Sequence, residues 1–331
     1  MTDSATPHAS QPLPASAWTV AGNQKVIRIA GAGTDKFLQG QFSQNLADVT
    51  ATFSPRAAAS TPKGRAYCLT RLVRDGDDVL MTVPEALLDD ITAQLRKYLM
   101  LFRGTSMAVL DDARVIGILG EDLAERLGAD VSALSDAGAS IMLDQHHLIR
   151  TESTAEGQPR YELWQIGELP HAVAQVLSAD CQTTPTDWLA AEIAAGIASL
   201  TPETTGAYVP QMLNWQHVGG IHFRKGCYTG QEVIARMHFL GQLKKSLFRY
   251  ATGKVTTAPD PGTAIVSGDK PVGEIVNSVR LADGTSQCLA VVRHTAANSA
   301  LHLQSSPEEP LHRLALPYAV PEQDSAADSD T

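Results

Sequence analysis

The chain has 331 residues, 44% of them hydrophobic, and its 26 Lys and Arg against 36 Asp and Glu give a formal charge of −10. This length and apolar content allow two or three domains with sizeable cores, and the acidic balance, without a run of five Lys or Arg, argues against a nucleic-acid binder of the usual basic kind. No stretch approaches the ~20 apolar residues of a membrane span. Residues 1–17 lack the basic start and apolar core of a signal peptide, and four scattered cysteines without a Cys-x-x-Cys argue against a disulfide framework or zinc site, so the chain reads as soluble and cytoplasmic.

Residues 1–15, polar and proline-rich, and residues 319–331, acidic and without apolar anchors, are expected to be disordered tails. Lys25 to Ala30 has the pattern of a strand. A Gly31-Ala32-Gly33 turn leads into a short helix near 34–41; Lys36 stands where a dinucleotide fingerprint needs its third glycine. Val79 to Val83 is a strand, and Pro84 opens a helix with Leu87, Leu88, Ile91, Leu95, Tyr98 and Leu99 on one face. More strands are expected at Val109, 115–119, near Ile141, and at 147–150 and 161–166, with a helix at about 170–178. His146 and His147 are expected on a strand surface. Thr184-Pro185-Thr186-Asp187 has the cap, first-turn proline and acid of a helix start; that helix carries Trp188 to about Gly196. Residues 199–223 form a long polar loop of the kind that carries sites. After Gly241, short strands near 246–251, 263–266, 272–279, 287–293 and 311–316 suggest a small antiparallel barrel or sandwich, with a boundary near 242–246. The mixed order of elements, without a βαβ rhythm, predicts an α+β fold.

The most informative stretch is Lys225-Gly226-Cys227-Tyr228-Thr229-Gly230-Gln231-Glu232. Thr229 as N-cap with Glu232 three residues later reads as a capping box, opening a helix over about Gly230–His238. Cys227 then lies beside a helix N-terminus and next to Arg224 and Lys225, all of which favour thiolate. Gln231 divides between a structural and a ligand role, Lys225 between charge at the site and a loop anchor, and Tyr228 reads as packing. Trp188 divides between core and the wall of a ligand site. His222 with Cys227 makes only two ligands, too few for a metal site. A cysteine-nucleophile enzyme would need His217, His222 or His238 as its base.

Gly206-Ala207-Tyr208-Val209-Pro210-Gln211-Met212-Leu213-Asn214, Val218-Gly219-Gly220-Ile221 and the octapeptide together closely resemble the folate-binding YgfZ family, relatives of the glycine-cleavage T-protein. Phe37-Leu38-Gln39-Gly40-Gln41, Pro62-Lys63-Gly64-Arg65 and Val272-Gly273-Glu274-Ile275-Val276 add weaker matches, and the resemblance spans roughly residues 20–318. It implies a T-protein-like aminomethyltransferase folate-binding fold, a ring of subdomains: residues 16–243 as a folate-binding α+β region of two subdomains, and 244–318 as a C-terminal antiparallel β-barrel. It also implies a tetrahydrofolate or derivative near Trp188, Gln41, Lys63, Arg65, Gln211 and Asn214. Cys227 becomes the key reactive residue, within a motif of Lys225, Gly226, Tyr228, Gly230, Gln231 and Glu232, with a transient iron–sulfur cluster as its cargo. The role implied is support of iron–sulfur enzymes, including those that thiolate tRNA, with client enzymes or assembly proteins as partners and no direct nucleic-acid or membrane contact.

The chain departs from its relatives in three places. Cys68 and Leu69 stand where the T-protein has its acidic pair, so the base for aminomethyl transfer is missing. Ala194 stands where many relatives have the glutamate that binds the pterin. Glu192, two residues earlier, is rotated by about 200° on a helix and is not expected to replace it. Gln24 stands roughly where some members have a second aromatic. A folate-dependent one-carbon transferase is therefore the alternative reading.

Overall fold

A computed structural model describes residues 13–179 and 181–321, so most of both expected tails lies outside the described residues. The chain opens with β1 (Ala17–Val20), β2 (Gln24–Ala30), α1 (Thr34–Gln41), β3 (Arg56–Ser60), β4 (Ala66–Asp75), β5 (Asp78–Pro84), α2 (Leu88–Leu99) and β6 (Ser106–Leu110). Next come β7 (Ala113–Leu119), α3 (Glu121–Arg126), β8 (Ser140–Leu143), β9 (His146–Thr151), β10 (Arg160–Ile166), α4 (His171–Ala179) and α5 (Pro185–Ala194). A long loop leads to α6 (Gln231–Phe239) and then to β11 (Lys245–Lys254), β12 (Ala264–Ser267), β13 (Lys270–Arg280), β14 (Thr285–Arg293), β15 (His302–Leu303), β16 (Ser306–Pro310) and β17 (His312–Leu314).

The strands form three antiparallel sheets in the orders β3-β4-β5-β2-β6, β1-β7-β10-β9-β8 and β16-β15-β12-β13-β14-β11-β17. The fold is α+β, as the sequence predicts. The third sheet curls into a half-barrel; among the described residues no ladder joins its outer strands β16 and β17. No helix of the described residues is long and apolar enough to cross a membrane.

Local chemistry explains the elements around the site. α1 buries Thr34, Phe37, Leu38 and Gln41, spaced to share one helix face. α5 starts at the expected box: the Thr184 hydroxyl accepts from the Asp187 amide at 3.2 Å, and the Asp187 carboxylate accepts from the Thr184 amide at 3.2 Å. Trp188, Ala190, Ala191, Ile193 and Ala194 are all buried, so α5 is covered on several sides at once. One hydrophobic cluster explains this: it joins Ile27, Phe37, Leu72 and Met81, Ala190 and Ile193 of α5, and Leu247, Val276, Leu289 and Val291 of the half-barrel.

Several expectations need correction. β1, β3, β4, β15 and β16 were not foreseen; β4 carries Arg71 and Arg74 inside its apolar run, which hides the strand pattern. His146 and His147 are buried, at 0% and 1% exposure, not on a surface. β9 lies between β8 and β10, and it faces the first sheet: His147 Nε2 stands 3.5 Å from Asp75 Oδ1, while His146 Nδ1 accepts the Ile166 amide at 3.1 Å.

Candidate functional site

A cavity of about 370 Å³ lies where β4, β10, α5 and the long loop meet, within the usual range for small-ligand pockets. Cys68, Leu69, Thr70 and Arg71 of β4 line it, with Gln24, Thr82, Val115 and Glu162. Trp188, Leu189 and Glu192 of α5 and Trp215 of the loop complete the wall.

The cavity rests on a buried set of charges. Arg56 donates to Glu152 at 2.8 Å and lies 3.6 Å from Glu162. Arg71 donates to Glu162 at 3.0 Å, to the Ser54 carbonyl at 2.7 Å and to the Thr151 hydroxyl at 3.1 Å. The Trp164 indole N–H also reaches Glu162, at 3.1 Å. Burial raises the Glu162 carboxyl, but the Arg71 and Arg56 charges outweigh it and hold the group below its ordinary value. Glu152 is lowered in the same way by Arg56 and Arg71, against burial. With both carboxylates saturated by guanidinium groups, the set tolerates burial.

Glu192 differs from these two. Its one ion-pair partner among the described residues is Arg160, whose Nη2 stands 3.0 Å from Oε1, and its side chain keeps 21% exposure against 9% for Glu162. Glu192 lines the cavity, and its bond to Arg160 uses Oε1 alone, which leaves its carboxylate accepting capacity to spare. The guanidinium carbon of Arg160 lies over the Trp188 ring, 4.3 Å from its centroid, which couples the aromatic and the acid. The Trp188 ring rests on Gly117 of β7, where any Cβ would overlap it, and is 5% exposed. Trp188 is thus both core and cavity wall.

The helical rotation that separates positions 192 and 194 acts opposite to expectation. It puts Glu192 on the cavity face and leaves Ala194, 1% exposed, packed away from the cavity lining. Cys68 and Leu69 do line the cavity; Cys68 is buried, and burial pushes its thiol up.

The octapeptide forms a second locus. Cys227 is exposed. The capping box expected at Thr229 and Glu232 is absent: Gly230, at φ 85°, is the N-cap of α6 and no side chain caps the helix. Thr229 turns away, its amide donating to the Gly40 carbonyl at 3.0 Å. Gly230 sits so close to the 61–64 turn that a Cβ would come within 2.6 Å of the Thr61 oxygen. Lys225 is 8% exposed, and its ammonium donates to the carbonyls of Gln39 and Phe42, both at 2.6 Å. It caps the C-terminal end of α1 and lies 4.8 Å from the Tyr228 ring centre. The motif lysine is an anchor between α1 and the loop.

Among the residues expected at a ligand, Trp188 lines the cavity, while Gln41, Lys63, Arg65, Gln211 and Asn214 do not. Gln211 donates to the Ile234 carbonyl at 2.6 Å, and Asn214, left-handed at φ 57°, donates to the Leu247 carbonyl at 2.9 Å. Both tie the loop to its neighbours. Gln41 is buried at the end of α1, Lys63 is exposed, and Arg65 donates to the Ala207 carbonyl at 2.6 Å. Sequence reasoning missed Arg56, Arg71, Glu152, Glu162 and Arg160. The signal was there in Tyr161-Glu162-Leu163-Trp164, where a charge alternates with large apolar residues and so faces inward with Trp164.

No protein-family model matches the chain. Among curated proteins it is 28% identical over 320 residues to tRNA-modifying protein YgfZ of Klebsiella pneumoniae, covering 95% of this chain and 96% of that protein. It is 29% identical over 313 residues to tRNA-modifying protein YgfZ of Cronobacter sakazakii, covering 89% and 90%. Among solved structures it matches glycine cleavage system aminomethyltransferase T from Bartonella henselae with a TM-score of 0.70 at 13% identity, over 91% of this chain and 86% of that one. That likeness shows the fold.

Proposed function

Because the chain belongs to the YgfZ family, we propose that it is a folate-binding accessory protein of tRNA modification. The observation that carries this reading is the Glu192 carboxylate, bonded to Arg160 through one oxygen, in the lining of a cavity walled by Trp188 and Trp215. A pterin is flat and polar, and its amino edge needs an acceptor; Glu192 supplies one, and the aromatic walls suit the ring. The bound folate would supply one-carbon or redox chemistry.

The finer reading is support of iron–sulfur enzymes, including tRNA-thiolating ones, through Cys227, with tRNA reached only through those clients. Among the described residues no three His, Cys, Asp or Glu side chains form a metal cluster. A transient iron–sulfur cluster handled at exposed Cys227 therefore takes its other ligands from a second molecule. Free thiols suit the reducing cytoplasm, where we place the protein. Aminomethyl transfer is the weaker reading, since Cys68 and Leu69 offer no carboxylate where they line the cavity.

The test is a tryptophan-fluorescence titration with tetrahydrofolate. Saturable quenching that weakens in Trp188→Phe and Glu192→Gln is expected. No binding up to millimolar ligand overturns the folate reading.

A further inference from the structure

α6 ends without cover. Phe239 and Leu240, adjacent in the chain, are 65% and 86% exposed, where surface apolar side chains usually stand singly. Phe223 stacks on His238 with ring centroids 3.6 Å apart, and Phe239 lies edge-on to Phe223 at 6.5 Å. The segment from Phe223 to Gly230 therefore runs back along α6, from its last turn to its first. A nine-residue helix is about 14 Å long, so exposed Cys227 lies within about one helix length of the apolar end.

The same region reverses the charge of the chain. Residues 222–245 hold five Lys or Arg and one Glu, in a protein of net charge −10. Arg224, Arg236 and Lys244 are exposed and form no ion pair among the described residues.

We infer that the C-terminal end of α6 is a docking surface for an acidic protein partner, one that sets an apolar side chain against Phe239 and Leu240 and carboxylates against Arg224, Arg236 and Lys244. An aromatic anchor with arginines at its rim is the usual make-up of an interface hot spot. The charge contrast steers an acidic surface to this face and leaves the rest of the chain repulsive to it. RNA is the rival occupant. It gains from three cations but has no use for adjacent Phe and Leu side chains, and the overall charge opposes it. The surface brings its partner beside Cys227, and it stands independently of the folate cavity.

The probe is a fluorescein-labelled amphipathic peptide of Glu and Leu, followed by anisotropy, with a Lys–Leu peptide of the same pattern and bulk tRNA as comparisons. We expect saturable binding of the Glu–Leu peptide and none of the Lys–Leu peptide. Phe239→Ser with Leu240→Ser, and separately Arg224→Glu with Arg236→Glu, weaken it by about tenfold or more. Site-resolved alkylation by iodoacetamide gives the location: the peptide slows Cys227 and leaves exposed Cys181 unchanged. No saturable binding, or equal binding by the variants, overturns the inference. Tight tRNA binding lost on charge reversal but kept in the Ser double variant replaces it with a nucleic-acid surface.

Discussion

Arg71 of β4 donates its Nε to the Glu162 carboxylate of β10 at 3.0 Å, so a buried ion pair joins one five-stranded sheet to the other across the floor of the cavity. Both side chains are nearly sealed, at 2% and 9% exposure. Removing one partner leaves a charge without water to replace the bond. Arg71→Met is expected to lower stability by about 3–5 kcal/mol, read from the urea midpoint at unchanged m-value.

The buried charges around that pair set a pH response. Glu152 and Glu162 are held below the ordinary 4.5 when folded, because arginine charge outweighs burial. The unfolded chain therefore takes up protons first as pH falls. Their contribution is full above pH 4.5 and is lost below it, toward the lowered folded values. A plot of thermal midpoint against pH should fall off below that point, and Glu162→Gln should flatten the fall.

Lys225 anchors α1 through two carbonyls. Lys225→Met should cost about 1–3 kcal/mol and speed amide exchange in the last turn of α1, with less effect at α5. Unchanged exchange in α1 would show that the bonds carry no weight.

Placing a glutamate at position 194 should not improve ligand binding. Ala194 is 1% exposed and off the cavity lining, so Ala194→Glu buries an unpaired charge and should destabilise the fold by several kcal/mol. Glu192→Gln keeps an acceptor for Arg160 and, on the proposed function, is expected to weaken tetrahydrofolate binding about tenfold. Tighter binding by Ala194→Glu would reverse the assignment.

Gly230→Ala forces a side chain into a φ of 85° and to within 2.6 Å of the Thr61 oxygen. A loss of about 2 kcal/mol or more is expected in chemical denaturation.

Much of the fold was legible where one local signal dominated. The Thr184–Asp187 box, the Gly31–Gly33 turn before α1 and the turn-separated strands after Gly241 each specify their element without help from distant residues. The reading failed where distant contacts decide. Thr229 and Glu232 have the spacing of a capping box, but the 61–64 turn presses on Gly230 and the helix starts there uncapped. His146 and His147 look polar and exposed until β9 is known to lie between β8 and β10. The 192 and 194 positions show a finer limit. Helix periodicity gives the angle between them, but only the packing of α5 says which of the two faces the cavity.

The hydrophobic cluster that runs from Ile27 through Ile193 to Val291 has a practical consequence. A chain severed in the 240–244 link would yield two fragments, each with an apolar wall stripped of its counterpart. Neither fragment should express as a soluble monomer, whereas the two produced together should reassemble. The intact protein should melt in one step, and the cavity should disappear with that step, because its wall belongs to α5 and α5 is held by both sides of the cluster.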